Sequence, residues 1–169
     1  HALSLNRIAG CEFDTAIFTN LTQDHLDYHK TMESYAETKA RLFSLVSADK
    51  HSKPLKSGII NIDDSYATIM KSFVNEKTFC PVFTYGIENE ADLQAINIKF
   101  SRQALSFDLK MDDITYSVHT KLVGRFNVYN TLAAIGAALS EGIRIDQIIS
   151  ALSTFTTVPG RFEIVDEGQ

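Results

Sequence analysis

The chain is sparing in the residues that mark special classes of protein. Its 169 residues hold two cysteines, Cys11 and Cys80, far apart and in no metal-like spacing, so reduced thiols of a cytosolic protein are the default reading. No apolar run is long enough to cross a membrane. Residues Ala2 to Arg7 lack the charged start and apolar core of a secretory leader, so no signal peptide is expected. The charge balance is mildly acidic, with a formal net charge of −5, and no lysine/arginine cluster stands out, which argues against nucleic acid as a partner. Internal repeats and low-complexity segments are missing too. None of the eight glycines is followed by lysine, so nothing in this sequence can cradle nucleotide phosphates in the P-loop manner.

What remains is enough chain for one domain with a real core, and the abrupt start at His1 reads as the interior of a larger protein. Ala16-Ile17-Phe18 and Gly58-Ile59-Ile60-Asn61-Ile62 read as strands filled on both faces, and Pro81 to Gly86 as a third. Helices are expected after the first two: one capped by Thr31 with Glu33 in its first turn, and one from about Ser65 to Phe73. This alternation predicts a mostly parallel sheet flanked by helices. Alternating segments at Ala95–Phe100, Ala104–Leu109 and Ile114–His119 then predict a small antiparallel meander. Two further helices are expected, one after Gly124 that stops before Gly142, and one over about Ile145–Leu152. A strand or linker after Pro159-Gly160 closes the chain.

The candidate chemistry gathers where the first strand ends, the place where open α/β sheets bind ligands. Asn20 to His29 is polar, and Asp24, His25, Asp27 and His29 could either hold a divalent metal or form a loop with local capping bonds. Lys39 falls four residues after Tyr35 and four before Phe43, inside the apolar stripe of the helix, while Glu37, Thr38 and Arg41 take the solvent side. Desolvation there would favour a neutral amine able to take up carbon dioxide; the alternative is a lysine that snorkels to water. Asn127 and Asn130, three apart at a helix start, suit the edge of a purine ring, with helix capping as the rival for Asn127. Arg161 suits phosphate charge or a plain surface.

These pieces, in this order, resemble the central domain of the Mur ligases of bacterial cell-wall synthesis. The residues that carry the resemblance are His1-Ala2-Leu3 with Arg7, Phe18 to His29, Thr38 to Phe43, Ile60 to Asp64, Gly124 to Asn130 and Pro159 to Glu163. The Asp-His-Leu-Asp-Tyr-His run points to the MurE-type branch, which adds the third peptide residue. The resemblance implies a P-loop-NTPase-like domain over residues 1–157 without its P-loop, and a linker at 158–169 leading to a ligase domain.

It also implies an ATP-dependent amide-bond synthesis in the bacterial cytoplasm. A diamino acid, meso-diaminopimelate or L-lysine, would join UDP-N-acetylmuramoyl-L-alanyl-D-glutamate through an acyl phosphate. His25 would bind magnesium, and Lys39 would be carbamylated and help to hold a second magnesium ion. Arg7 and Asn20 fall to the nucleotide-sugar substrate, Asn127 or Asn130 to adenine, and Arg161 to ATP. The segment alone is expected to be inactive. Rival readings are another ligase of the superfamily, such as a folylpolyglutamate-type enzyme, a metal-dependent hydrolase, and a non-catalytic binding module.

Overall fold

The computed structural model describes residues 2–3, 5–22, 31–47, 56–74 and 81–155. Within them, six strands form one sheet in chain order: β1 (Thr15–Phe18), β2 (Ser57–Asn61), β3 (Val82–Gly86), β4 (Leu93–Phe100), β5 (Leu105–Met111) and β6 (Ile114–Thr120). Strands β1 to β4 run parallel, and β4 to β6 form the expected antiparallel meander. The meander continues the same sheet through the pairs Tyr85↔Leu93 and Gly86↔Gln94. Parallel neighbours ordinarily need a crossover of about a dozen residues. Residues 87–92 suffice here because only those two pairs form.

Helices cover both faces of the parallel half. On one side α1 (Met32–Val46) and α2 (Ala67–Ser72) pack Tyr35, Ala36, Ala40, Phe43, Val46 and Met70 against Ala16, Phe18 and Ile60. On the other, α3 (Arg125–Ser140) and α4 (Ile145–Thr154) pack Val128, Leu132, Ile135 and Ile148 against Ile59, Tyr85, Leu93 and the inner face of the meander. Strand β2 is buried at every position, with Ile59 and Ile60 feeding opposite cores, as its unbroken apolar run requires. The meander keeps its other face in water, with Lys99, Asp108, Lys110 and Ser117 on the partly or fully exposed positions. Asn97 sits at the β4–β5 register shift with φ 52°, a conformation that asparagine tolerates better than most residues.

The start of α1 follows the sequence signal closely, since the Thr31 side chain accepts the Ser34 N–H at 3.2 Å. Two expectations need correcting. Strand β1 is not filled on both faces, because Ala16 and Phe18 are buried while Ile17 is 39% exposed. It lies at the margin of the sheet, where the C-terminal end of α3 reaches it by polar contacts, Thr15 to Ser140 and Glu141. Thr38 is buried rather than on the solvent side. Its hydroxyl donates to the Ser34 carbonyl at 2.9 Å, which satisfies the one polar group that burial would strand. No helix among the described residues is long and apolar enough to cross a membrane.

Helix α3 comes closest to the sheet at Gly136, where an added Cβ would lie 3.0 Å from Ile59 Cγ2 and 3.3 Å from Leu93 Cδ1. Gly136→Val should therefore overpack this contact and cost about 1–3 kcal/mol of stability. A fall in the urea midpoint at unchanged slope is the expected result in the natural full-length protein; an unchanged midpoint would show that the two layers part easily.

Candidate functional site

The carboxyl ends of β1, β2 and β3 meet in a polar cluster built from the run Asn61-Ile62-Asp63-Asp64. Asn61 Nδ2 donates to the Thr19 carbonyl at 2.7 Å, and Asp64 accepts the Leu21 N–H and the Tyr66 N–H, each at 2.9 Å. These bonds hold the chain just after β1, including the exposed Asn20, against the end of β2. Tyr85, fully buried, adds a bond from its hydroxyl to the Phe18 carbonyl at 3.2 Å. Burial, with the Asp64 charge nearby, pushes the Tyr85 phenol well above its ordinary value, so it stays a donor.

Asp63 organises the next layer. Its Oδ2 accepts the N–H groups of Ile87 (2.6 Å) and Glu88 (3.0 Å) and the Tyr129 hydroxyl (2.9 Å). Its Oδ1 accepts the backbone N–H and the side-chain amide of Asn89, at 2.9 and 2.8 Å. Burial alone would raise this carboxyl, but the backbone donors of Ile87, Glu88 and Asn89 and the Asn89 side chain outweigh it and carry the pKa below the ordinary carboxylate value. The close approach also explains Gly86, where a Cβ would stand 2.9 Å from Asp63 Oδ1. Tyr129 moves the other way, up to about 12, chiefly through burial and then through its bond to the Asp63 charge.

Tyr129 brings the start of α3 to this edge. Arg125 pairs with Glu88 in the loop after β3, a second tie between the same elements. Asn127 Nδ2 donates to the Val123 carbonyl at 2.7 Å, while its Oδ1 accepts from Asn130 Nδ2 at 3.1 Å. The two amides expected to face one way are therefore joined. Asn127 does not cap the helix in the usual sense, since Gly124 is the N-cap residue and makes no side-chain cap bond.

The other expected residues fall elsewhere. Lys39 is exposed, with its ammonium 5.0 Å from the centre of the Tyr35 ring, so the expectation of a lysine enclosed by the apolar stripe is corrected. Its stem starts on the stripe, but four methylenes carry the head to water, where the Tyr35 ring face offers a cation–π contact. Arg7 is exposed in the N-terminal turns, beside a groove of about 570 Å³ lined by Leu3, Ile8, Cys11, Arg41 and Leu45, along the C-terminal half of α1. That groove is apart from the α3 end of the site. His25, with Asp24, Asp27 and His29, and also Arg161 and the 158–169 linker lie outside the described residues. Among the described residues, no group of three or more His, Cys, Asp or Glu side chains converges on a metal position.

A model of the Mur ligase middle domain matches residues 1–138. The chain belongs to this family. Over its whole length it is 47% identical to the UDP-N-acetylmuramoyl-L-alanyl-D-glutamate--2,6-diaminopimelate ligase of Bacillus velezensis, of which it covers 34%. A solved structure of a ligase with the same name superposes with a TM-score of 0.84 at 33% identity, over 98% of this chain and 33% of that one. A MurF ligase from Thermotoga maritima, solved with ADP, shares the fold with a TM-score of 0.69 at 22% identity, over 94% of this chain and 34% of its own. The chain thus spans about a third of the length of the curated relatives that it matches. Membership agrees with the α/β architecture expected from the sequence, down to the meander.

Sequence reasoning found the amide pair but not the part played by Asp63 and Tyr129. The signal was present, since Asn61 and Asp63 interrupt an apolar run at a strand end, but the donors to the Asp63 side chain lie 24 to 66 residues away. Asp63→Asn should lower stability at pH 7 by about 2 kcal/mol, because an amide nitrogen would face N–H donors and the charge would be lost. The carboxyl is depressed in the fold, so its contribution is complete above the unfolded value of 3.8 and is lost as pH falls through the lower folded value. Thermal melts of wild type and variant should accordingly differ at pH 7 and converge in acid; a gap that stays constant with pH would show that charge plays no part.

Proposed function

We propose that this chain is the nucleotide-handling segment of a bacterial cytoplasmic ligase that joins 2,6-diaminopimelate to UDP-N-acetylmuramoyl-L-alanyl-D-glutamate, with ATP consumed. The observation that carries this reading is the 47% identity, over the entire chain, to a relative bearing that name. The geometry supports it at one point above all. The Asn127–Asn130 amides are held together at the carboxyl edge of a parallel sheet, where they offer both a donor and an acceptor to a purine edge.

In this reading ATP transfers its γ-phosphoryl group to the γ-carboxylate of the D-glutamate end and leaves as ADP. The amino group of the diamino acid then attacks the acyl carbon, and inorganic phosphate departs as the amide forms. Asn127 and Asn130 orient adenine, and Arg161 steadies ATP from the 158–169 segment. Arg7 and Asn20 serve the nucleotide-sugar substrate. His25 and Lys39 are the residues proposed to hold two magnesium ions, which when bound offset the charge of the phosphates. Lys39 would do so as a carbamate, formed when the ammonium gives up a proton and the amine adds carbon dioxide with release of a second proton; its exposed position leaves the nitrogen accessible.

The test is ligation by the natural full-length protein supplied with the UDP-linked dipeptide, ATP, magnesium and meso-diaminopimelate. ADP, phosphate and the tripeptide product are expected in equal amounts, and L-lysine should replace diaminopimelate poorly. Turnover of L-lysine alone would move the proposal to a different diamino acid, and no turnover at all would end it. Lys39→Ala should lose at least ~100-fold in rate and recover part of it with a short added carboxylate. Unchanged activity in that variant removes Lys39 from the chemistry.

A further inference from the structure

Helix α3 enters the site without a side-chain cap at its N-cap residue. That residue, Gly124, has φ 90°, and the first turn is tied to the preceding chain by the bond from Asn127 Nδ2 to the Val123 carbonyl at 2.7 Å. A replacement there is constrained as well, since a Cβ would lie 2.8 Å from the Phe126 ring. The residues that would read a purine, Asn127 and Asn130, follow directly on this permissive joint. Amide recognition of a ring edge needs placement to within about 0.5 Å, and a bond to the chain just before the helix leaves the rotation of α3 against the sheet to contacts with other elements.

We infer that Asp63 and Tyr129 form a latch that positions α3 for adenine-nucleotide binding, with the Arg125–Glu88 pair as its outer tie. The inference rests on the ligase reading, and in particular on the adenine role of the amide pair. Tyr129 stands between the two asparagines in sequence, and its hydroxyl donates to Asp63 Oδ2 at 2.9 Å. That oxygen is set by the Ile87 and Glu88 N–H groups, and its twin by Asn89. A single carboxylate thus ties the end of β2, the loop after β3 and the first turns of α3 into one frame. Arg125 to Glu88 closes the same frame one residue into the helix. Neither Asp63 nor Tyr129 need touch the nucleotide; they act through the placement of Asn127 and Asn130.

Tyr129→Phe is the discriminating variant, because it removes one oxygen and leaves Asp63 with its four N–H donors. In the natural full-length enzyme, KM for ATP and the dissociation constant of ADP should each rise about five-fold, while KM for the UDP-dipeptide and for the diamino acid stays put. Asp108→Ala serves as the comparison, since it removes bonds from Asn97 and Ser117 on the outer face of the meander. It should leave KM for ATP at the wild-type value even where it lowers the melting temperature. An unchanged ATP KM in Tyr129→Phe, or an equal rise in all three KM values, overturns the latch while the ligase reading stands. A wild-type enzyme that binds neither ATP nor ADP overturns both.

Discussion

A carboxylate at the end of a buried strand must find donors, and the way Asp63 finds them governs how the carboxyl edge is assembled. Water cannot fully solvate a half-buried group at that depth, so its oxygens are met by N–H groups of the loop after β3 and by the phenol of Tyr129. Each of those donors belongs to a different stretch of chain from Asp63 itself. Satisfying one side chain therefore brings three elements together. The same requirement explains the glycine at 86, since the loop must pass close enough for its backbone to reach the carboxylate.

The short parallel link between β3 and β4 depends on this arrangement. Residues 87–92 have to reverse and return within a few residues, and both ends of the turn are pinned by aspartates. Asp63 holds its beginning, and Asp92 holds its end by accepting the Thr84 N–H and hydroxyl at 2.7 and 2.6 Å. Two short-range clamps replace the helix that such a crossover ordinarily contains. In this way the parallel half of the sheet continues into an antiparallel half that supplies one wall of the α3 core. The two halves share Leu93 and Ala95, which pack with Ile59, Leu132 and Ile135 in one apolar layer.

Much of this was legible in the chain. Strand β2 announced itself because an apolar run with no polar alternation has nowhere to go but the middle of a layered sheet, and Thr31 announced α1 because only a few residue types satisfy a helix start. The pairing of Asn127 with Asn130 followed from a spacing of three. What resisted reading was what a periodic pattern does not encode. Helical spacing places the Cα of Lys39 on the apolar stripe and left enclosure and snorkelling both open; the length of the side chain decides between them, and the charge ends up over the Tyr35 ring. Thr38 reversed for the complementary reason, since a short hydroxyl can turn back on its own helix and be buried without penalty. The partners of Asp63 were hidden because hydrogen bonds between distant segments leave no local trace.

The donors that surround these carboxylates also bear on chemistry. An Asp-Asp pair at the carboxyl edge of a parallel sheet invites assignment as a metal-binding or proton-transferring pair. Here both oxygens of Asp63 face N–H and O–H donors, and both oxygens of Asp64 accept backbone N–H groups from Leu21 and Tyr66. At Asp63 a metal ion would have to compete with five hydrogen-bond donors for the same two oxygens. A proton would meet a carboxyl whose folded surroundings favour its ionised form in Asp63. Asp63 is therefore committed to holding the frame, and that frame presents the joined Asn127–Asn130 amides at the carboxyl edge.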